Sequence, residues 1–256
     1  MPEQNQVFNA QPNLTTIVSR VVAVRTHPLG MAVAIADNVV RPAGGGEPRD
    51  RGLVRCAAGH GLEILGADKC DGFTWVFLET SPVTPGELVR VELDSEYRCR
   101  RRRLHTAIHL AIRATKNHLG EIQVVDARIE EDAGSALVAC RYSIPISDAD
   151  VVAIDRSIRS EVLNPRLVTI LTAKSVECAK KSYRDLFRLS ERYTLKGRVR
   201  LVCIEGYDVN PCSGLHHPST DIGPYELKLE SSGDDPNQFA IRILPKKVWT
   251  SWLGEL

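Results

Sequence analysis

Residues 98 to 120 read RCRRRRLHTAIHLAIRATKNHLG. Five arginines (Arg98, Arg100, Arg101, Arg102 and Arg103) stand directly ahead of His105 and His109, which are four residues apart. A helical period sets in after Asp94 or Ser95, either of which suits a helix N-cap, and Gly120 is a natural stop. Such a helix is about 36 Å long at 1.5 Å per residue. Both histidines then lie on one face with their Cβ atoms about 6 Å apart. The helix also separates two kinds of sequence.

Upstream, from Thr15 to about Asp94, short β-rich runs alternate with turn residues: TIVSRVVAVRT, MAVAIADNVVRP, GLVRCAA, LEILGA, FTWVFLE and LVRVELD. So many strands in so short a stretch predict a small β-barrel or sandwich, and we take the barrel as the expectation. Downstream the signals mix. IQVVDARI and SALVACRYS read as strands, and DADVVAIDRSIRSEVL reads as a helix capped by Ser147 or Asp148. LVTILTA is a strand, followed by a charged helix from Ser175 to about Arg192, and RVRLVCIEG, PYELKLES and QFAIRILP are strands again. The fold class expected is α+β: a β-barrel domain over residues 1–93, then an α+β domain over 94–256 with helices on a largely antiparallel sheet.

Composition sets outer limits. The chain has 256 residues, 43% hydrophobic and 25% charged, enough to bury a core without disulfides. Seven cysteines at irregular spacing argue against a disulfide framework and read mostly as small buried apolar residues. The polar start MPEQNQVFNAQP lacks the features of a secretory signal, and no run approaches the ~18 apolar residues of a membrane span. A cytoplasmic protein with no membrane partner is expected; its oligomeric state is not encoded in any motif. With a net charge of +1, a polyanion must be held by local patches.

An isolated H-x3-H pair on a helix is as often a satisfied structural pair as a metal site. A second pair, Cys212 and His216, lies in YDVNPCSGLHHPSTDIGPYEL beside Gly214. Together the two pairs offer three nitrogens and one sulfur, a set that suits Zn2+. His217 is the weaker candidate, because adjacent side chains diverge on an extended segment.

HTAIHL at 105–110, PCSGLH at 211–216 and STDIG at 219–223 resemble the paired motifs of the alanyl-tRNA synthetase editing domain and its free-standing relatives, the AlaX proteins. The usual wording there is HTAxHLL, then CGGTH followed by NTGEIG. RPAGGGEPRDRG at 41–52 is similar to the family's PxGGGQPxDxG segment, and Asp94 with Arg98 matches its D-W-x-x-R stretch. The similarity spans about residues 15 to 245.

The resemblance implies a β-barrel ahead of an editing domain and hydrolysis of the ester that joins a wrong amino acid to tRNA. A synthetase's catalytic portion would not fit ahead of residue 15, so action in trans on the acceptor end of aminoacyl-tRNA is expected. It implies Zn2+ held by His105, His109, Cys212 and His216, with His105, His109 and Glu47 serving catalysis. Gly44, Gly45, Gly46, Glu47, Arg98, Arg101, Arg102, Leu215 and Asp221 are the expected substrate and tRNA contacts. Lys180, Lys181, Arg184, Lys246 and Lys247 could extend a basic surface.

Bland readings stand beside these. The glycines make an ordinary hairpin loop, and the arginines form a solvated helix entrance with Arg98 paired to Asp94 or Glu96. Three residues depart from the family wording: Glu47 for glutamine, Ser213 for the first glycine of CGGTH, and Leu215 for its threonine. Glu47 would favour a substrate ammonium. Loss of the threonine hydroxyl makes serine, the family's common target, insecure, and an apolar Leu215 suits a threonine-like or methyl- or halogen-bearing side chain such as fluorothreonine, unless Leu215 faces the core. The amino acids expected are serine, glycine or such an analogue. Two other functions compete: a tRNA-binding module with a structural zinc site, and a metal-dependent hydrolase of a small ester or amide.

Overall fold

The computed structural model describes residues 4–56, 59–80, 83–189, 195–231 and 237–246. The expected strand end at Ala57 and Ala58, the expected helix end at Arg192 and the basic Lys247 lie outside them. The chain divides into two compact units, Met1–Cys99 and Arg100–Leu256.

In the first unit the β-rich runs form strands β1 (Thr16–His27), β2 (Gly30–Ile35), β3 (Gly52–Arg55), β4 (Gly61–Glu63), β5 (Gly66–Cys70), β6 (Phe73–Leu78) and β7 (Leu88–Leu93). They make one sheet in the order β4-β3-β7-β1-β2-β6-β5, with every pairing antiparallel. The long strand β1 changes partner midway: Thr16–Arg20 pairs with β7, and Val21–His27 pairs with β2. A register shift between Val21 and Ala23 marks the corner, where an extra residue bends the strand. Val21, Val33, Ile35, Val54, Val76, Leu78, Val89 and Val91 converge on one core, each burial stabilising by roughly 1.5–3 kcal/mol.

The expected closed barrel is not found among the described residues. Among the described residues, no ladder joins the outer strands β4 and β5. They are consecutive in sequence, separated only by Ile64 and Leu65, whose amides donate outward to Gly52 O (2.9 Å) and Phe77 O (2.9 Å). Those donors extend the two flanking ladders, so the chain crosses from one edge to the other without a turn that could pair β4 with β5.

Helix α1 spans Ser95–Leu119. The Oδ1 of Asp94 accepts from the Tyr97 amide at 2.8 Å, which settles the N-cap. Gly120 closes the helix at φ 85°, its amide donating to Lys116 O at 2.9 Å.

The second unit contains β8 (Gln123–Ile129), β9 (Ala136–Arg141), α2 (Asp148–Leu163), β10 (Val168–Ala173), α3 (Val176–Tyr183), β11 (Val199–Ile204), β12 (Asp208–Pro211), β13 (Tyr225–Ser231) and β14 (Gln238–Pro245). They form two antiparallel sheets, β8-β9-β14-β13 and β10-β11-β12. The architecture is α+β with largely antiparallel sheets. Helix α2 begins with a capping box: Ser147 Oγ accepts from the Asp150 amide, and Asp150 accepts from the Ser147 amide.

Helix α3 is shorter than expected, ending at Tyr183 because Arg184 takes φ 42°. Leu186, Phe187 and Leu189 thereby pack with Val176, Ala179, Val199, Leu201 and Val209, and the Arg188 amide donates to Val209 O at 2.8 Å. Strand β12 was not expected; Gly206, at φ 62°, allows the tight return from β11 that creates it. Among the described residues no helix is long and apolar enough to cross a membrane.

Candidate metal centre

Two elements of the second unit bring the predicted ligands together. Helix α1 presents His105 and His109, 4% and 5% exposed, from adjacent turns. Strand β12 ends at Pro211 and hands the chain to Cys212 and His216, whose segment is tied back onto α1. Arg102 Nε donates to His216 O at 2.8 Å, and the His217 amide donates to Thr106 Oγ1 at 3.1 Å. One ligand atom from each of His105, His109, Cys212 and His216 lies within 4.8 Å of the others.

The spacing fits a metal of zinc's size. Cys212 Sγ is 3.4 Å from His105 Nε2 and 3.5 Å from His216 Nε2. A tetrahedral ion with Zn–N near 2.0–2.1 Å and Zn–S near 2.3 Å requires S···N edges of about 3.5 Å. Residue 214 must be glycine for this to happen: a Cβ there would lie 2.0 Å from His105 Cε1 and 2.4 Å from its Nδ1. The Gly214 amide also points at the Cys212 sulfur, 3.3 Å away.

Hydrogen bonding assigns the His216 tautomer. Thr106 Oγ1 donates to Arg102 O at 3.2 Å, so its oxygen accepts from His216 Nδ1–H at 3.3 Å and leaves Nε2 with a free lone pair. Burial, then the charge of His105, pushes His216 down to about 3, so its ring is neutral. Burial opposes the Cys212 thiolate, but the charge and hydrogen bond of His105, with help from His109 and His216, hold the thiol well below its ordinary value. Neutral imidazole and thiolate are the forms that ligate.

His109 turns Nδ1 toward the buried Asp208, 3.6 Å from Oδ2. Asp208 is gripped by Arg188, Nε to Oδ1 and Nη2 to Oδ2, both at 2.5 Å. Burial pushes Asp208 up and burial pushes His109 down, but Arg188 lowers the carboxyl overall and Asp208 raises the imidazole overall. Asp208, Arg188 and Thr106 were missed by the sequence reading. The signal for Asp208 was its position four residues before Cys212, on the same side of an extended strand.

No family model matches the chain. Its sequence is 25% identical over 219 residues to the alanyl-tRNA editing protein AlaX-L of Pyrococcus horikoshii, covering 84% of this chain and 51% of AlaX-L. It is 29% identical over 198 residues to the mouse alanyl-tRNA editing protein Aarsd1, covering 73% of this chain and 42% of Aarsd1. It is 30% identical over 188 residues to the alanine–tRNA ligase of Methanopyrus kandleri, covering 73% of this chain and 20% of the ligase. The chain is homologous to the alanyl-tRNA editing proteins. It spans between a fifth and about half of the length of these relatives.

The remaining positions expected from the editing-protein motifs are placed as follows. In the first unit, Gly44–Glu47 is a tight hairpin turn, closed by Gly44 N to Glu47 O (2.9 Å) and Glu47 N to Gly44 O (3.2 Å). Gly45 and Gly46 both take positive φ, 63° and 77°, as a type I′ turn demands. Glu47 is buried and ion-paired with Arg41 at 2.8 Å, so its negative charge is balanced within its own unit.

Arg98 is 1% exposed and turns into the first unit. Its Nε donates to Asp50 Oδ1 at 3.0 Å, Nη2 reaches Oδ2, and Nη1 and Nη2 also donate to Leu14 O and Val39 O, each at 2.7 Å. Asp50 is its acid, and not Asp94 or Glu96. These partners enclose the guanidinium within the first unit. In the second unit Arg101 and Arg102 are also buried. Leu215 is fully buried; Asp221 is exposed and accepts from the Gly223 amide at 3.3 Å. His217 turns to Ser219, donating from Nδ1 to the carbonyl at 3.1 Å, and stands apart from the four-residue group. Lys180, Lys181, Arg184 and Lys246 are exposed.

Proposed function

We propose that the chain deacylates mischarged tRNA, hydrolysing in trans the ester at the 3′ end. The observation that carries this reading is the convergence of four donor atoms, from His105, His109, Cys212 and His216, within 4.8 Å on a chain homologous to alanyl-tRNA editing proteins. Water adds to the aminoacyl carbonyl carbon, the bond to the ribose oxygen breaks, and that oxygen takes a proton. The products are a free amino acid and an uncharged tRNA.

An aminoacyl ester is already activated, so placing water and stabilising an oxyanion is sufficient chemistry. Bound Zn2+ would supply orientation and Lewis-acid polarisation of the acyl group. The chain's own residues make the donor set possible. Gly214 lets His105 approach the thiol, while Thr106 and Arg102 fix the ring and carbonyl of His216. The exposed Lys180, Lys181, Arg184 and Lys246 are the candidates for phosphate contacts, each neutralised phosphate steepening the salt dependence by about 0.7–0.9.

The amino acid removed is serine, glycine or a threonine-like analogue such as fluorothreonine. Leu215 lacks the hydroxyl of the motif's threonine and is fully buried, so it supplies no polar contact that would select serine. A panel of tRNAs charged with Ser, Gly, Ala, Thr and threonine analogues, incubated with the protein before and after chelation, tests the reading. Deacylation should be selective and lost with the metal. Binding of charged tRNA without cleavage would instead identify a tRNA-binding module. Cleavage of small esters that is insensitive to 50–200 mM salt, with charged tRNA untouched, would identify a small-substrate hydrolase.

A further inference from the structure

We propose that Asp208 and Arg188 are positioning residues for His109, with the Arg188-clamped carboxylate of Asp208 fixing the imidazole so that Nε2 faces Cys212, His105 and His216. The inference rests on the reading that these four residues hold a metal ion.

His109 Nδ1 is buried, and among the described residues it makes no hydrogen bond. A buried N–H without an acceptor costs about 1–3 kcal/mol, so the ring needs an acceptor on that side. Asp208 Oδ2, at 3.6 Å, is only slightly beyond hydrogen-bond range. A metal-ligating histidine commonly gives its second ring N–H to a carboxylate, which fixes the tautomer and the ring plane. Thr106 already acts in this way on His216.

The clamp explains why a carboxylate so close to the donor set does not itself join it. Both Asp208 oxygens are engaged by the planar fork of Arg188, Oδ1 by Nε and Oδ2 by Nη2. That leaves the acid neutralised and oriented, and Asp208 is absent from the group of convergent ligands. Arg188 is in turn held from outside. Its amide donates to Val209 O at 2.8 Å, Phe187 forms a bridge with Val209, and Arg113 Nη1 donates to Asp185 O at 3.0 Å. Strand β12 thus carries the positioning acid at its start and delivers Cys212 just past its end.

The test uses the full chain and zinc alone, titrated against a chromophoric chelator, with Asp208→Asn, Arg188→Met, Arg188→Lys and the double variant Asp208→Leu/Arg188→Met. The double variant removes both charges together and so avoids stranding either one. Zinc affinity should fall by about 10- to 100-fold in the double variant and in Asp208→Asn, and Lys at 188 should not restore it. Nitrogen-15 NMR of the metal-free wild type should show His109 protonated on Nδ1, and Asp208→Asn should lose that preference. A folded double variant that binds zinc within twofold of wild type, with the His109 tautomer unchanged, overturns the inference. If the double variant does not fold, the same result from Asp208→Asn does so. Wild-type protein that takes up no zinc would instead defeat the metal reading itself.

Discussion

Gly214 lies against the imidazole of His105 so closely that a β-carbon on residue 214 would overlap the ring, 2.0 Å from Cε1. The ring cannot retreat without leaving the sulfur of Cys212, 3.4 Å away. Gly214→Ala should therefore lose zinc and deacylation together, by more than tenfold each, in zinc titration and charged-tRNA assays. The adjacent Ser213 is exposed, and Ser213→Gly should leave stability within about 0.5 kcal/mol of wild type. An unaltered zinc content in Gly214→Ala would contradict the geometry.

Arg98 is a structural residue in the first unit, and its loss should be read in stability. Replacing it by Met strands a buried Asp50 carboxylate and two backbone carbonyls, a change that costs about 3–5 kcal/mol. Urea denaturation should show a large fall in the midpoint for Arg98→Met. Pairing it with Asp50→Asn should recover part of that loss. A near-neutral single variant would refute the account.

The turn at Gly44–Glu47 makes a separate prediction. Gly45 has φ 63° at the first central position of a type I′ turn, where Asn is tolerated and β-branched residues are not. Gly45→Val should destabilise by about 1–2 kcal/mol and Gly45→Asn by much less, as read from thermal melts. Equal melting temperatures for the two would rule out this turn.

The start of α2 should respond to acid. Hydrogen bonds from the Ser147 amide and hydroxyl, followed by His118, hold the Asp150 carboxyl down to about 2, from an ordinary value of 3.8. The folded state thus binds fewer protons than the unfolded state in that interval. The contribution is complete above pH 3.8 and is lost as pH falls toward 2. Melts of wild type and Asp150→Asn should differ at pH 5 and converge near pH 2. A gap that stays constant with pH would assign the stabilisation to the neutral contacts alone.

Much of the molecule was legible in the sequence because local signals agreed with the final packing. Asp94 and Gly120 bracket α1 as their chemistry predicts, and Ser147 caps α2. The four donor residues were visible because ligand chemistry restricts both residue type and spacing. What escaped depended on contacts between residues distant in sequence. Asp208 and Arg188 acquire their meaning only when β12 passes α1. Nothing local announced that Arg98 would be occupied by Asp50, since a run of arginines reads as a solvated face until its partners are known. The end of α3 was misjudged for a similar reason: its charged residues have helical propensity, but Leu186, Phe187 and Leu189 gain more by packing on the small sheet than by continuing the helix.

The sheet of the first unit has its two outermost strands fastened by a peptide link of just two residues, Ile64 and Leu65. Three Cα steps from Glu63 to Gly66 can span at most about 11 Å, so both rims are kept close by covalent connection. A cut or a flexible insertion at that link would release the tether and let the two outer strand edges move apart. The first failure expected of such a molecule is association with its own copies through those edges, before any loss of the core.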